Sequence, residues 1–135
     1  MLLCGLVLSS DATGSGAGTA WNGIVTADEI STLDLSDCEL AVLSACQTGA
    51  GVRQAGLAIS SLQRALHIAG ARSVVTSLWN VPDESTKELM VGFYRGMWSE
   101  KKSKSRALWD AKMALRASGH PLRDWAGWVL SGDSH

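Results

Sequence analysis

The chain has 135 residues, 12 basic and 13 acidic side chains, a net charge of −1 and a hydrophobic fraction of 46%. That is one domain's length with enough apolar content to bury a core, which excludes intrinsic disorder. The even charge balance removes the electrostatic case for a nucleic-acid partner or an anionic membrane surface, and no apolar run approaches the ~20 residues that span a bilayer.

In chain order, Leu2 to Ser9 is a continuous apolar run, the pattern of a strand covered on both faces. It lacks the basic start and the length of a signal peptide, so a strand is expected and the cytoplasm is the default location. Residues 10–19 form a Gly/Ser loop, and Gly23 to Val25 a short strand. Thr26-Ala27-Asp28-Glu29 fits a capping box opening a short helix to about Leu33. Glu39 to Ala45 is the clearest strand, with Cys46 at its carboxyl end and a glycine-bearing loop, Gln47 to Gly51, after it.

Leu57, Ile59, Leu62, Leu66 and Ala69 make a helical stripe with Gln63 and Arg64 outward, stopped by Gly70. Arg72 to Trp79 reads as a second buried strand. Pro82 and Asp83 open a helix to about Trp98, with Asp83 and Glu84 at the positive end of its dipole. A helix from about Ser105 to Ala117 puts Lys112 outward, His120-Pro121 breaks it, and Trp125 to Leu130 is the last predicted strand. The basic run from Lys101 to Arg106 reads as a solvated turn. This alternation predicts one α/β domain over residues 1–135, with a mostly parallel sheet and crossover helices.

Ligands of such sheets gather beyond the carboxyl ends of the strands, where the pattern places Cys46. A thiolate beside loop amides has a lowered pKa, and those amides can face an oxyanion, so a cysteine nucleophile is one reading. The other is a packed free cysteine, the commoner fate of that residue type. Cys4 and Cys38 read as inert. Three cysteines without regular spacing argue for a reducing compartment, and no CxxC or HxxxH pair supports a structural zinc. Asp83 either pairs with a basic substrate side chain or only complements its helix dipole. Trp79 is a pocket wall or core filler. His67 reads as a packed structural histidine, His120 as a turn residue and His135 as a mobile terminus, which leaves Cys46 without a base.

Leu43-Ser44-Ala45-Cys46-Gln47-Thr48-Gly49, Ala69-Gly70-Ala71-Arg72-Ser73-Val74-Val75 and Ser77-Leu78-Trp79-Asn80-Val81-Pro82-Asp83 together resemble the CHAT domain, a caspase-like cysteine peptidase domain often fused to tetratricopeptide repeats. Gly5-Leu6-Val7-Leu8 and His120-Pro121 followed by Trp125 to Asp133 extend the resemblance over essentially the whole chain.

The resemblance implies a caspase/separase-type fold and peptide-bond cleavage through a thioacyl intermediate on Cys46. It also implies a Gly49 loop at the oxyanion and Asp83 in a pocket for a basic P1 side chain. It implies no metal or cofactor, a protein or peptide substrate, and a tetratricopeptide-repeat region as partner. The family's catalytic histidine lies upstream of the Gly-Leu-Val-Leu strand. The chain is therefore expected to be an N-terminally truncated, C-terminal part of the domain, with an unpaired sheet edge and no activity alone. Gln54-Ala55-Gly56 replaces a Glu-Gly pattern common in the family. The competing expectation is a catalytically inactive scaffold or interaction module. A nucleotide-binding fold is excluded, because Gly14 to Gly18 is a poor match to a phosphate loop.

Overall fold

A computed structural model of the protein describes residues 5–7, 24–44 and 52–135, with side chains at 25–44 and 57–135. In chain order the elements are β1 (Gly5–Val7), β2 (Ile24–Thr26), α1 (Ala27–Ser31), β3 (Ala41–Leu43), α2 (Val52–Ala69) and β4 (Ser73–Ser77), then α3 (Asp83–Trp98), α4 (Lys104–Ala117), α5 (Leu122–Trp125) and β5 (Trp128–Gly132). The fold is α/β, as the alternation predicts.

The central sheet has the order β3-β4-β5. β3 runs parallel to β4, from Ala41 opposite Val74 to Leu43 opposite Thr76, and the pair is joined by the crossover helix α2. β5 runs antiparallel to β4, from Ser73 opposite Gly132 to Ser77 opposite Trp128, so the sheet is mixed. The described part of the first strand lies outside it, β1 pairing antiparallel with β2. Among the described residues no strand pairs along the outer edge of β3.

Side chains alternate along a strand with period two, and this sorts the core into two layers. Val74 faces Ile30, Ala58, Leu62 and Leu66 of α1 and α2. Val75 faces Leu89, Phe93, Leu108 and Leu115 of α3 and α4, with Trp128. β3 follows the same rule, Leu40 and Val42 packing on the second layer and Ala41 and Leu43 on the first.

α3 and α4 pack through small residues. A Cβ on Gly96 would stand 2.9 Å from the Ala107 Cβ, and one on Gly92 would stand 3.3 Å from the Ala111 Cβ. The four-residue repeat of Gly92-Gly96 against Ala107-Ala111 sets one row of each helix against the other.

The helix ends follow local chemistry. Thr26 and Glu29 close the expected capping box, Thr26 N–H donating to Glu29 Oε2 at 2.7 Å and Glu29 N–H to Thr26 Oγ1 at 3.2 Å. α1 ends at Ser31, two residues earlier than expected, where the Thr32 hydroxyl turns back to the Glu29 carbonyl at 2.7 Å. Gly70 has φ +115° and stops α2 as anticipated.

Three expectations change. Gln63 points inward, its amide donating to the buried Thr76 hydroxyl at 2.6 Å. Lys112 also turns in, as described below. Trp125 belongs to α5, and the last strand starts at Trp128. Pro121 fixes the backbone for a helical turn, Asp124 N–H donates to the Pro121 carbonyl at 2.9 Å, and that turn displaces the strand start.

Gly132 ends β5 with φ +89°, and a Cβ there would collide with the Arg72 carbonyl oxygen and stand 2.7 Å from His67 Cε1. Gly132→Ala therefore combines left-handed strain with a backbone clash, an expected loss of about 2–4 kcal/mol in denaturant unfolding.

Candidate functional site

The carboxyl ends of β3 and β4 point to one rim, the place where parallel strands gather side chains from different crossovers. β3 ends at Leu43, with Ser44 exposed beyond it. β4 ends at Ser77 and continues through Leu78 to Val81 into α3. Because β5 is antiparallel, its first residue, Trp128, lies at this same rim. Cys46 and Gly49 follow β3 in the sequence and lie outside the described residues.

Asp83 is the first residue of α3 and is exposed, next to an equally exposed Glu84. Pro82 at the N-cap makes no side-chain cap bond. Both carboxylates belong to the first turn of a helix that has no side-chain cap, where negative charge is favoured.

Trp79 is a rim residue and not core filler; Val81 fills the core instead. Its indole is 38% exposed and donates from Nε1 to the Arg123 carbonyl at 2.6 Å. Its ring lies on Gly127, where a Cβ would come within 2.6 Å of Cε2. Leu78 N–H donates to the Gly127 carbonyl at 2.9 Å. The segment from Arg123 to Gly127 therefore immobilises an aromatic face beside the start of α3.

Lys112 holds that segment from below. Its half-buried ammonium donates to the Ala126 carbonyl at 3.3 Å and the Trp128 carbonyl at 2.9 Å, while burial pushes its pKa down. A polar group joins α5 to α3. Ser85 Oγ donates to Asp124 Oδ2 at 2.8 Å, His120 Nδ1 lies 3.5 Å from that oxygen, and His120 Nε2 lies 3.2 Å from Glu88 Oε2. His120 is thus an interhelical tie, more than the turn residue expected. Ser85 and Asp124, both buried, were missed in the sequence, although Pro121 followed three residues later by an acid is the mark of a helix's first turn.

His67 is the packed residue expected. Nδ1 is 2.9 Å from the Ala71 carbonyl and Nε2 is 2.9 Å from Ser131 Oγ. Both partners lie at the amino end of β4, a strand's length of about 13 Å from the rim. A cavity of about 500 Å³ lined by Leu40, Tyr94, Met97, Trp98 and Lys104 also lies at that opposite end and is not part of the rim. Among the described residues, no group of three or more His, Cys, Asp or Glu side chains can hold a metal ion, and no helix is long and apolar enough to cross a membrane.

The sequence pattern that defines the CHAT domain matches residues 2–133. Tetratricopeptide repeat protein 28 of Homo sapiens is 36% identical over 77 residues, a stretch that takes in 55% of this chain and 3% of that protein's length.

A Cβ at residue 127 has no room beneath the indole. Gly127→Ala is expected to displace the Trp79 ring and break its bond to the Arg123 carbonyl, moving the Trp79 indole N–H resonance upfield and lowering stability by about 1–3 kcal/mol.

Proposed function

The chain belongs to the CHAT domain family, and on that premise we propose that it is the cysteine-bearing, C-terminal part of a caspase-like peptidase domain spanning residues 1–135. The supporting observation is the end of the parallel strand β3 at the rim shared with β4 and Trp79; in the sequence Cys46 follows that strand end by three residues.

In this reading the Cys46 thiolate attacks the scissile carbonyl of a protein or peptide, and a histidine takes the thiol proton and returns it to the leaving amine. Water then releases the thioacyl group. Amides of the loop containing Gly49 face the oxyanion. The exposed Asp83 carboxylate pairs with a basic P1 side chain of the substrate. In this reading the base comes from chain outside these 135 residues, since His67 stands at the far end of β4, both ring nitrogens of His120 are engaged at α3 and α5, and His135 lines the cavity at the end opposite the rim. We assign a cytoplasmic location from the cysteine pattern, and a tetratricopeptide-repeat region as partner from the name of the human relative. The same engagement of His67 and His120 favours a second reading for the isolated chain, a scaffold without turnover.

Arg- and Lys-containing peptides separate these readings. The 135-residue chain alone is expected to leave them intact. A longer gene product carrying an upstream histidine strand is expected to cleave them, with Cys46→Ala lowering kcat/KM by at least about 10³-fold. Asp83→Asn is expected to reduce cleavage after Arg by about 10-fold or more while sparing neutral P1 residues. No cleavage by the longer product, or cleavage that survives Cys46→Ala, overturns the peptidase reading.

A further inference from the structure

The polar group between α3 and α5 has an unusual donor and acceptor count. His120 Nε2 faces Glu88 Oε2 at 3.2 Å; His120 Nδ1 faces Ser85 Oγ at 3.3 Å and Asp124 Oδ2 at 3.5 Å. The Ser85 proton is already directed to Asp124 Oδ2 at 2.8 Å, so Ser85 turns a lone pair towards the ring. Both ring nitrogens therefore meet acceptors. A neutral imidazole carries one N–H and sets its other nitrogen's lone pair against oxygen; an imidazolium satisfies both sides.

We propose that Glu88, Ser85, His120 and Asp124 form a proton-dependent clasp that closes α5 onto the first turns of α3, with His120 as a positioning residue for the rim. The charged groups around the ring are Glu88 from α3, Asp124 from α5, and Arg123, whose Nε lies 3.5 Å from Asp124 Oδ1. Asp124 has a side chain only 8% exposed, so its charge is little screened by water, whereas Arg123 is largely solvated. α4 presents a backbone carbonyl here, that of Leu115, which accepts from the His120 amide at 3.1 Å.

What the clasp closes is the support of the rim. α5 carries the Arg123 carbonyl that fixes the Trp79 indole, and Gly127 just beyond it both underlies that ring and binds Leu78. On the other side, Ser85 sits in the same first turn as Asp83. Losing the ring proton removes one of the two contacts and loosens the Arg123–Gly127 segment, while the core formed by Leu89, Phe93, Leu108 and Leu115 stays packed. The device does not depend on the peptidase reading, because it is read from the folded chain without turnover.

Amide hydrogen exchange of the 135-residue chain at pH 5.5 and pH 8.0, corrected for intrinsic rates, tests it. Protection across residues 122–127 is expected to be about 3- to 10-fold greater at pH 5.5, the equivalent of one typical net hydrogen bond, with core amides of β4 unchanged. His120→Gln is expected to bring that ratio to about one. The solvent-facing change Glu88→Ala, which leaves the core untouched, is expected to reduce it at least about twofold and serves if the first variant does not fold. A ratio near one in the unmodified chain, or one that Glu88→Ala leaves in place, overturns the proposal.

Discussion

The structure depends on a strand that carries polar side chains into a fully buried position. All five residues of β4, Ser73-Val74-Val75-Thr76-Ser77, are buried, and a hydroxyl there is costly unless it is hydrogen-bonded. Its partners consequently determine where other parts of the chain must lie. Ser73 Oγ donates to the Asp133 carbonyl at 2.6 Å, tying the end of the chain to the start of β4. The Thr76 hydroxyl accepts from Gln63, which fixes the rotation of α2 against the sheet. Val74 and Val75 divide the core between the α1–α2 layer and the α3–α4 layer.

Rim geometry follows from that division. α3 leaves β4 at the rim, and the close approach of Gly92 and Gly96 to Ala111 and Ala107 brings α4 back alongside it, so the chain returns to the rim before α5. The return places Arg123 and Gly127 against Trp79 and Asp124 against Ser85. Opposite the rim, Lys102 bridges Glu100 at 2.5 Å and Asp110 at 2.8 Å, closing the α3–α4 connection; the hydrogen bond between Lys102 and Asp110 raises the pKa of the lysine and lowers that of the carboxylate. Surface pairs of this kind set the loop's course more than they add stability.

Much of this was legible in the residues. The capping box at Thr26, the stop at Gly70 and the acidic opening of α3 are local devices whose chemistry is completed within four residues, so pattern alone locates them. Position 125 was misread because Trp is a strand former by propensity, and a single helical turn set by Pro121 overrides that preference. Gln63 and Lys112 were misread because each is polar on an amphipathic helix. Their partners, the Thr76 hydroxyl and the Ala126 and Trp128 carbonyls, lie more than ten residues away and leave no trace in helical periodicity.

The sequence by itself determined the α/β alternation, the family and the order of Cys46, Trp79 and Asp83 along it, since these depend on local periodicity and on motifs read in line. Tertiary structure alone decided the antiparallel course of β5, the assignment of Trp79 to the rim, the partners of His67 and the role of His120. His67 meets Ser131, and His120 meets Glu88, through pairings that join separate segments. A histidine's role depends on the acceptors facing its two nitrogens, and only the packed chain brings those acceptors into place.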